Sequence, residues 1–179
     1  LFFVPAVTMR LWSEEKKLGT MELLMTLPVK DSDVVLGKFL ASFVFLSMTV
    51  LLTFPMVLSV MGLGNPDSGP IIGGYLGAIL MGGAYLSIGM FASSLNENQI
   101  VAFILGVVIC FGLFIIGEGF VLMRVPGSWA GVFQFLGLGA HFRSIGRGVI
   151  DSRDIIYYLS VITFFLFLNL RSLESRKGL

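Results

Sequence analysis

Charge is scarce in this chain: Asp, Glu, Lys and Arg make up 13% of its 179 residues, the net charge is +1, and there is one histidine and one cysteine. A single cysteine excludes a disulfide within the sequence, and one imidazole with one thiol leaves too few donors for a metal centre built on those ligands. No G-x-x-x-x-G-K-[ST] phosphate loop occurs; "LGKF" at Leu36 to Phe39 lacks both the earlier glycine and the hydroxyl residue, so ATP chemistry must lie elsewhere. The serine of "GSWAG" at Gly127 to Gly131 is wrongly placed for a G-x-S-x-G nucleophile elbow, which removes the sequence basis for an intramembrane hydrolase. No span offers the internal ion-coupling charges or paired broken helices of a secondary transporter. The chain is therefore not expected to be an enzyme, and no residue is assigned a catalytic, cofactor-binding or metal-ligating role.

What the chain has instead is apolar length. Hydrophobic residues make up 56%, with 17 Phe and 22 Gly, and the mean hydropathy is +0.93. A globular core would not absorb such uncharged runs, whereas a bilayer tolerates them and favours Gly at helix contacts. The expected fold class is all-α, a polytopic helical membrane protein with four full spans plus the end of a preceding one. "LFFVPAVTM" (1–9) lacks the charged start and cleavage site of a signal peptide and reads as the last turns of a truncated span. Charged residues then bracket spans over 34–63, with Pro55 as a kink, over 70–95 and 98–123, and a last one over 154–171. Residues 124–153 include an uncharged stretch nearly as long as a span. Pro126, four glycines, Gln134 and His141 make it a poor crossing, so interfacial or re-entrant short helices outside the cytoplasm are expected there.

Charge orients the chain. Eight of the 12 basic residues fall in the loop 10–33 with its Lys38 border and in the tail 172–179 with its Arg171 border, while Arg124, Arg143, Arg147 and Arg153 fall opposite. The positive-inside rule makes the loop and the C-terminus cytoplasmic.

The loop has readable local chemistry. Thr20 can cap a short helix from Met21 to Leu27, Glu22 suits its positive end, and Pro28 stops it. Asp31 or Ser32 can cap the next helix, which leads into the first span. Met21, Leu24 and Met25 share one helical face. That face lies either on the bilayer or the protein's own spans, or in the groove of a soluble partner.

"SEEKKLGTMELLMTLPV" resembles the cytosolic loop of type-2 ABC exporter permeases, in which Glu-Glu, a basic or polar pair, Gly-Thr, Glu, two apolar residues and Pro precede a membrane helix. The matching residues are Glu14, Glu15, Gly19, Thr20, Glu22, Leu23, Leu24 and Pro28. The C-terminal "HFRSIGRGVIDSRDIIYYLSVITFFLFLNLRSLESR" resembles the gliding-motility (GldF-like) branch of that superfamily, where an "RGVID"-like segment precedes the last span. The resemblance implies a permease with six spans, of which this chain would lack the first and most of the second. It also implies a bacterial inner-membrane location and a second permease copy or related permease, as a homo- or heterodimer in the lipid bilayer. ATP and Mg would be bound by a partner, the ABC ATP-binding subunit, and nucleic acid is not an expected partner. On this match Glu14, Glu15, Gly19, Thr20, Glu22 and Leu24 are the candidate coupling residues facing that subunit. A membrane scaffold that docks a cytosolic partner without moving solute is the alternative reading.

Glu118, in "IIGEGF", is either an intramembrane functional carboxylate or an interfacial one facing water. His141 reads as a polar interfacial residue and Cys110 as a small core residue. The pairs Gly73/Gly77 and Ala102/Gly106 have the spacing that lets helices approach closely.

Overall fold

Uncharged runs bounded by Asp and Asn can satisfy their backbone only as helices once in lipid, and the same Asx residues start them. Asp67 accepts from the Gly69 N–H at 3.1 Å, Asn98 from Ile100 at 2.9 Å and Asp151 from Arg153 at 3.0 Å, each capping a helix that begins at the next residue. The computed structural model describes residues 1–26, 28–124 and 126–177. In chain order they form α1 Phe3–Thr8, α2 Arg10–Leu18, α3 Thr20–Thr26, α4 Asp31–Leu51, α5 Phe54–Leu63, α6 Ser68–Leu95, α7 Gln99–Ile115, α8 Gly119–Leu122, α9 Gly127–Leu136, α10 Leu138–Gly146 and α11 Ser152–Lys177. The expected helix end at Leu27 lies outside the described residues, as do Gly178 and Leu179 of the tail.

The expectation of four full spans plus the end of a preceding one is not met. Among the described residues three helical stretches are long and apolar enough to cross a bilayer: Asp31–Leu63 with 33 residues, Ser68–Leu95 with 28 and Ser152–Ser175 with 24. The run expected over 98–123 yields α7, whose 17 residues reach about 26 Å at about 1.5 Å each, short of the roughly 30 Å hydrocarbon layer. Just past its end the chain meets another backbone. Gly117 lies so close to Gly137 that a Cβ on it would stand 2.8 Å from the Gly137 Cα, and Glu118 leaves the helix in extended conformation, ψ 144°. The supposed end of a preceding span is six residues of α1. It is interrupted at Met9, whose carbonyl takes the Ser93 hydroxyl at 2.9 Å. The multi-pass membrane character itself stands on the three long helices.

Pro55 interrupts the first of these. Its ring nitrogen offers no N–H to the Leu51 carbonyl, and helix α4 gives way to α5 across Leu52 and Thr53. Thr53 Oγ1 donates to the Val50 carbonyl at 2.7 Å and lies 2.9 Å from the Tyr75 hydroxyl.

The chain folds as two compact units, and α4, α6, α7 and α11 each contribute residues to both. One consists of Leu1–Val44, Gly83–Cys110 and Ser160–Leu179. Trp12, Ile88, Met90, Cys110 and Leu173 are buried in it. Small residues set its helix approaches: Thr8 sits directly on Gly89, and Gly106 faces Pro5 and Ala92. The other consists of Phe45–Gly82 and Phe111–Leu159. There Gly73 receives the Ile145 carbonyl and Gly77 the Phe142 ring of α10. Gly148, at φ +85°, makes the left-handed turn that brings "RGVID" into the Asp151 cap. Helices α8, α9 and α10 have 4, 10 and 9 residues, none of span length.

Candidate functional site

The loop between Arg10 and Lys38 is built around a left-handed glycine. Gly19 closes α2 at φ 69°, a conformation that costs a side-chain-bearing residue about 1 kcal/mol. It lets α3 start at the very next residue. Thr20 does not act as a forward cap as expected; its hydroxyl donates back to the Glu15 carbonyl at 3.3 Å, tying the two short helices across the turn.

Helix α2 has no side-chain cap of its own at Met9. Ser93 of α6 supplies one from 80 positions away: its Oγ accepts the Trp12 and Ser13 N–H groups, each at 3.1 Å. The Ser13 hydroxyl answers with a bond to the Ser93 carbonyl at 3.3 Å. Lys16 donates its ammonium to the Ser94 carbonyl at the end of α6, where a cation suits the helix C-terminus. Lys38 of α4 reaches the Leu11 carbonyl at 2.7 Å and Glu15 Oε1 at 2.5 Å. Its ammonium also stands 4.6 Å from the centre of the buried Trp12 ring, a cation–π contact. The loop is thus fastened to the starts and ends of long helices through charge-assisted bonds out of full solvent.

The outward side is different in kind. Glu14, Lys17, Thr20 and Thr26 are exposed, and so are Leu18 at 68% and Leu23 at 69%. Two large apolar side chains bared between charged and hydroxyl residues form a small amphipathic surface. Met21, expected on an apolar face open to bilayer, spans or partner, is buried within the unit at 9%. Leu24 lines a narrow recess with Trp12, Asp31, Val34 and Leu173. The side chains of Glu22 and Met25 lie outside the described residues. Of the candidate coupling residues, Glu14, Gly19 and Thr20 face outward, while Glu15 and Leu24 face the long helices.

Glu118 belongs to the other unit and is not brought to this loop. It precedes α8 and forms an ion pair with Arg143 of α10, whose guanidinium also reaches the Gly117 carbonyl at 3.4 Å. Beside it lies a cluster that the sequence did not single out. His141 Nδ1 stands 2.6 Å from Asp154 Oδ1, and Nε2 stands 2.9 Å from the Phe135 carbonyl. The His141 ring stacks on Tyr157 at 3.9 Å. Tyr157 and Tyr158 donate their hydroxyls to the Leu136 and Leu138 carbonyls at 2.6 and 2.8 Å, closing the turn between α9 and α10. The signal available in sequence is the "DIIYY" run, where an acid and two tyrosines recur at helical spacing.

Two comparisons bear on what this arrangement belongs to. A protein-family model described as "ABC-2 family transporter protein" matches residues 5–143, which takes in the whole loop and the helices up to Arg143. No curated protein matches the chain.

Proposed function

Because the chain belongs to the ABC-2 family of transporter proteins, we propose that it is the membrane-spanning permease subunit of an ATP-driven exporter, with α2 and α3 as its coupling element. One observation carries this reading. The α2–α3 loop is held to α4 by Lys38 and to α6 by Ser93 and Ser94, while Glu14, Lys17, Leu18 and Leu23 stay open on its other side. A push on the open side is delivered to helices that cross the bilayer, because polar contacts this numerous do not slide independently.

ATP and Mg are bound by a separate ATP-binding subunit, since this chain carries no phosphate loop. That subunit's closure and release displace α2–α3, and a second permease copy or a related permease completes the pathway. Glu14, Gly19, Thr20 and Glu22 would contact the ATP-binding subunit; Glu15 and Leu24 would hold the element in place. The loop lies on the cytoplasmic side of a bacterial inner membrane, a placement supported by the excess of basic residues there. The gliding-motility branch rests on the C-terminal "RGVID" resemblance, and on the cap that this segment forms for α11.

The test is association. The full-length protein and its ATP-binding subunit are co-purified with wild-type sequence or with Leu18→Arg and Leu23→Arg together. Loss of the central apolar anchors should weaken binding by about tenfold or more. Equal recovery of the subunit with both forms would overturn the assignment of this surface.

A further inference from the structure

We propose that His141 is a pH-operated latch: as an imidazolium it ties the end of α9 to the start of α11, and loss of its proton releases the turn between α9 and α10. Each ring nitrogen faces an oxygen. Nδ1 stands 2.6 Å from Asp154 Oδ1 and Nε2 stands 2.9 Å from the Phe135 carbonyl. A backbone carbonyl only accepts, so Nε2 carries a hydrogen; a carboxylate only accepts, so Nδ1 carries one too. A neutral imidazole has a single N–H, and imidazolium is the form that serves both oxygens.

A protonated Asp154 donating to a neutral ring would satisfy the same distances, and the helix ends decide against it. Phe135 lies in the last turn of α9, whose unpaired carbonyls favour a cation, while Asp154 lies in the first turn of α11, which favours an anion. At 12% and 9% side-chain exposure the two are weakly screened by solvent. Tyr157 and Tyr158 of α11 stack on the His141 ring and meet it edge-on, at 3.9 and 6.3 Å, but their hydroxyls donate to the Leu136 and Leu138 carbonyls. Helix α9 has no charged residue. Arg143 of α10 is committed to Glu118 and to the Gly117 carbonyl. Among the described residues Asp154 is thus the counter-charge that reaches the ring.

Histidine changes charge between about pH 5 and 8, and the direction follows from the geometry. Both bonds are made at the acid end, and one is lost as pH rises and the ring gives up a proton. The remaining hydrogen stays on Nδ1, where the carboxylate makes the stronger bond. Nε2 then turns a lone pair toward the Phe135 oxygen, and that contact opens. The Phe135 ring goes with it, since it packs edge-on against His141 and Tyr157 at 5.8 and 5.6 Å. Gly137, in the same turn, is the residue whose backbone meets Gly117 just past α7. All of these residues belong to one compact unit, so the proton on His141 controls how firmly that turn is held against its neighbours.

His141 is the only histidine in the chain, so isotope-labelled histidine reports its ring directly by NMR of the purified full chain in nanodiscs. Both ring nitrogens should carry hydrogen at about pH 5, and one of them at about pH 8. Across that window the hydrogen-exchange protection of residues 135–140, corrected for intrinsic rates, should fall about tenfold, the weight of one charge-assisted hydrogen bond. In Asp154→Asn the protection should stay flat with pH, because the side-chain amide donates to Nδ1 and leaves the one ring hydrogen on Nε2 for Phe135. The ring is read on wild-type protein, so the test stands even where the variant fails to fold. A single N–H at about pH 5, a ring that keeps both hydrogens at about pH 8, or wild-type protection that does not change with pH would each overturn the latch. A pH response that survives in Asp154→Asn would overturn it as well.

Discussion

Replacing Ser93 with alanine removes one oxygen and should loosen a whole loop. That oxygen accepts two buried N–H groups of α2 at 3.1 Å and donates to the Met9 carbonyl at 2.9 Å. Ser93, Trp12 and Ser13 are all fully buried. Each buried donor left without a partner costs about 1–3 kcal/mol. The Ser13 hydroxyl, 3.1 Å from Ser93 Oγ, can turn to recover part of this, so a net loss of about 2 kcal/mol is expected, in line with the loss of a strong helix cap. For a chain of this size that lowers Tm by about 4–8 °C. Amide exchange at Trp12 and Ser13 should rise by about 30-fold, the same energy expressed as local opening. Scanning fluorimetry in detergent and hydrogen exchange read the two effects. Ser94→Ala is the control: among the described residues its hydroxyl bonds to the Phe91 carbonyl of its own helix, at 2.7 Å, and its loss should cost less than about 0.5 kcal/mol. A Ser93→Ala protein with unchanged Tm and unchanged exchange at Trp12 and Ser13 would refute the idea that α6 caps α2.

Three further outcomes follow from the packing. Gly89→Ala should lower Tm, because its Cβ would overlap Thr8 at a cost of about 1–3 kcal/mol, whereas Gly112→Ala, with nothing within 4 Å, should raise stability by about 0.5–1 kcal/mol. Gly19→Ala forces a side chain into the φ 69° turn and should cost about 1 kcal/mol, seen as faster exchange confined to α2 and α3. His141→Ala strands the Asp154 carboxylate, which is 6% exposed, and should cost about 3–5 kcal/mol. The double variant with Asp154→Leu should be more stable than His141→Ala alone, as a thermal-melt double-mutant cycle would show.

The sequence was most legible where chemistry is local. Pro55 announces a break, and the glycines and polar groups of residues 126–142 announce that no long helix forms there. It was least legible where two distant segments meet. Just past the end of α7, Gly117 meets Gly137 of a distant segment, which charge spacing alone does not reveal. The cap on α2 comes from Ser93, and nothing near Met9 signals it. Lys38 read as the border of a span, yet its ammonium is committed to Leu11 and Glu15. Within the candidate site the motif does not tell the two sides of the loop apart: Glu15 and Leu24 turn inward, and the exposed Leu18 is not among the motif residues.

In the proposed function this loop passes work between an ATP-binding subunit and the membrane helices. ATP turnover by that subunit, reconstituted in proteoliposomes with the full-length permease, tests it most directly when wild type is compared with the Leu18→Arg, Leu23→Arg double variant. The account predicts permease-dependent turnover that falls about tenfold in the variant, matching the loss of association. Turnover equal in the two, or a subunit that binds the wild-type permease with no change in turnover, as a scaffold would produce, would contradict it.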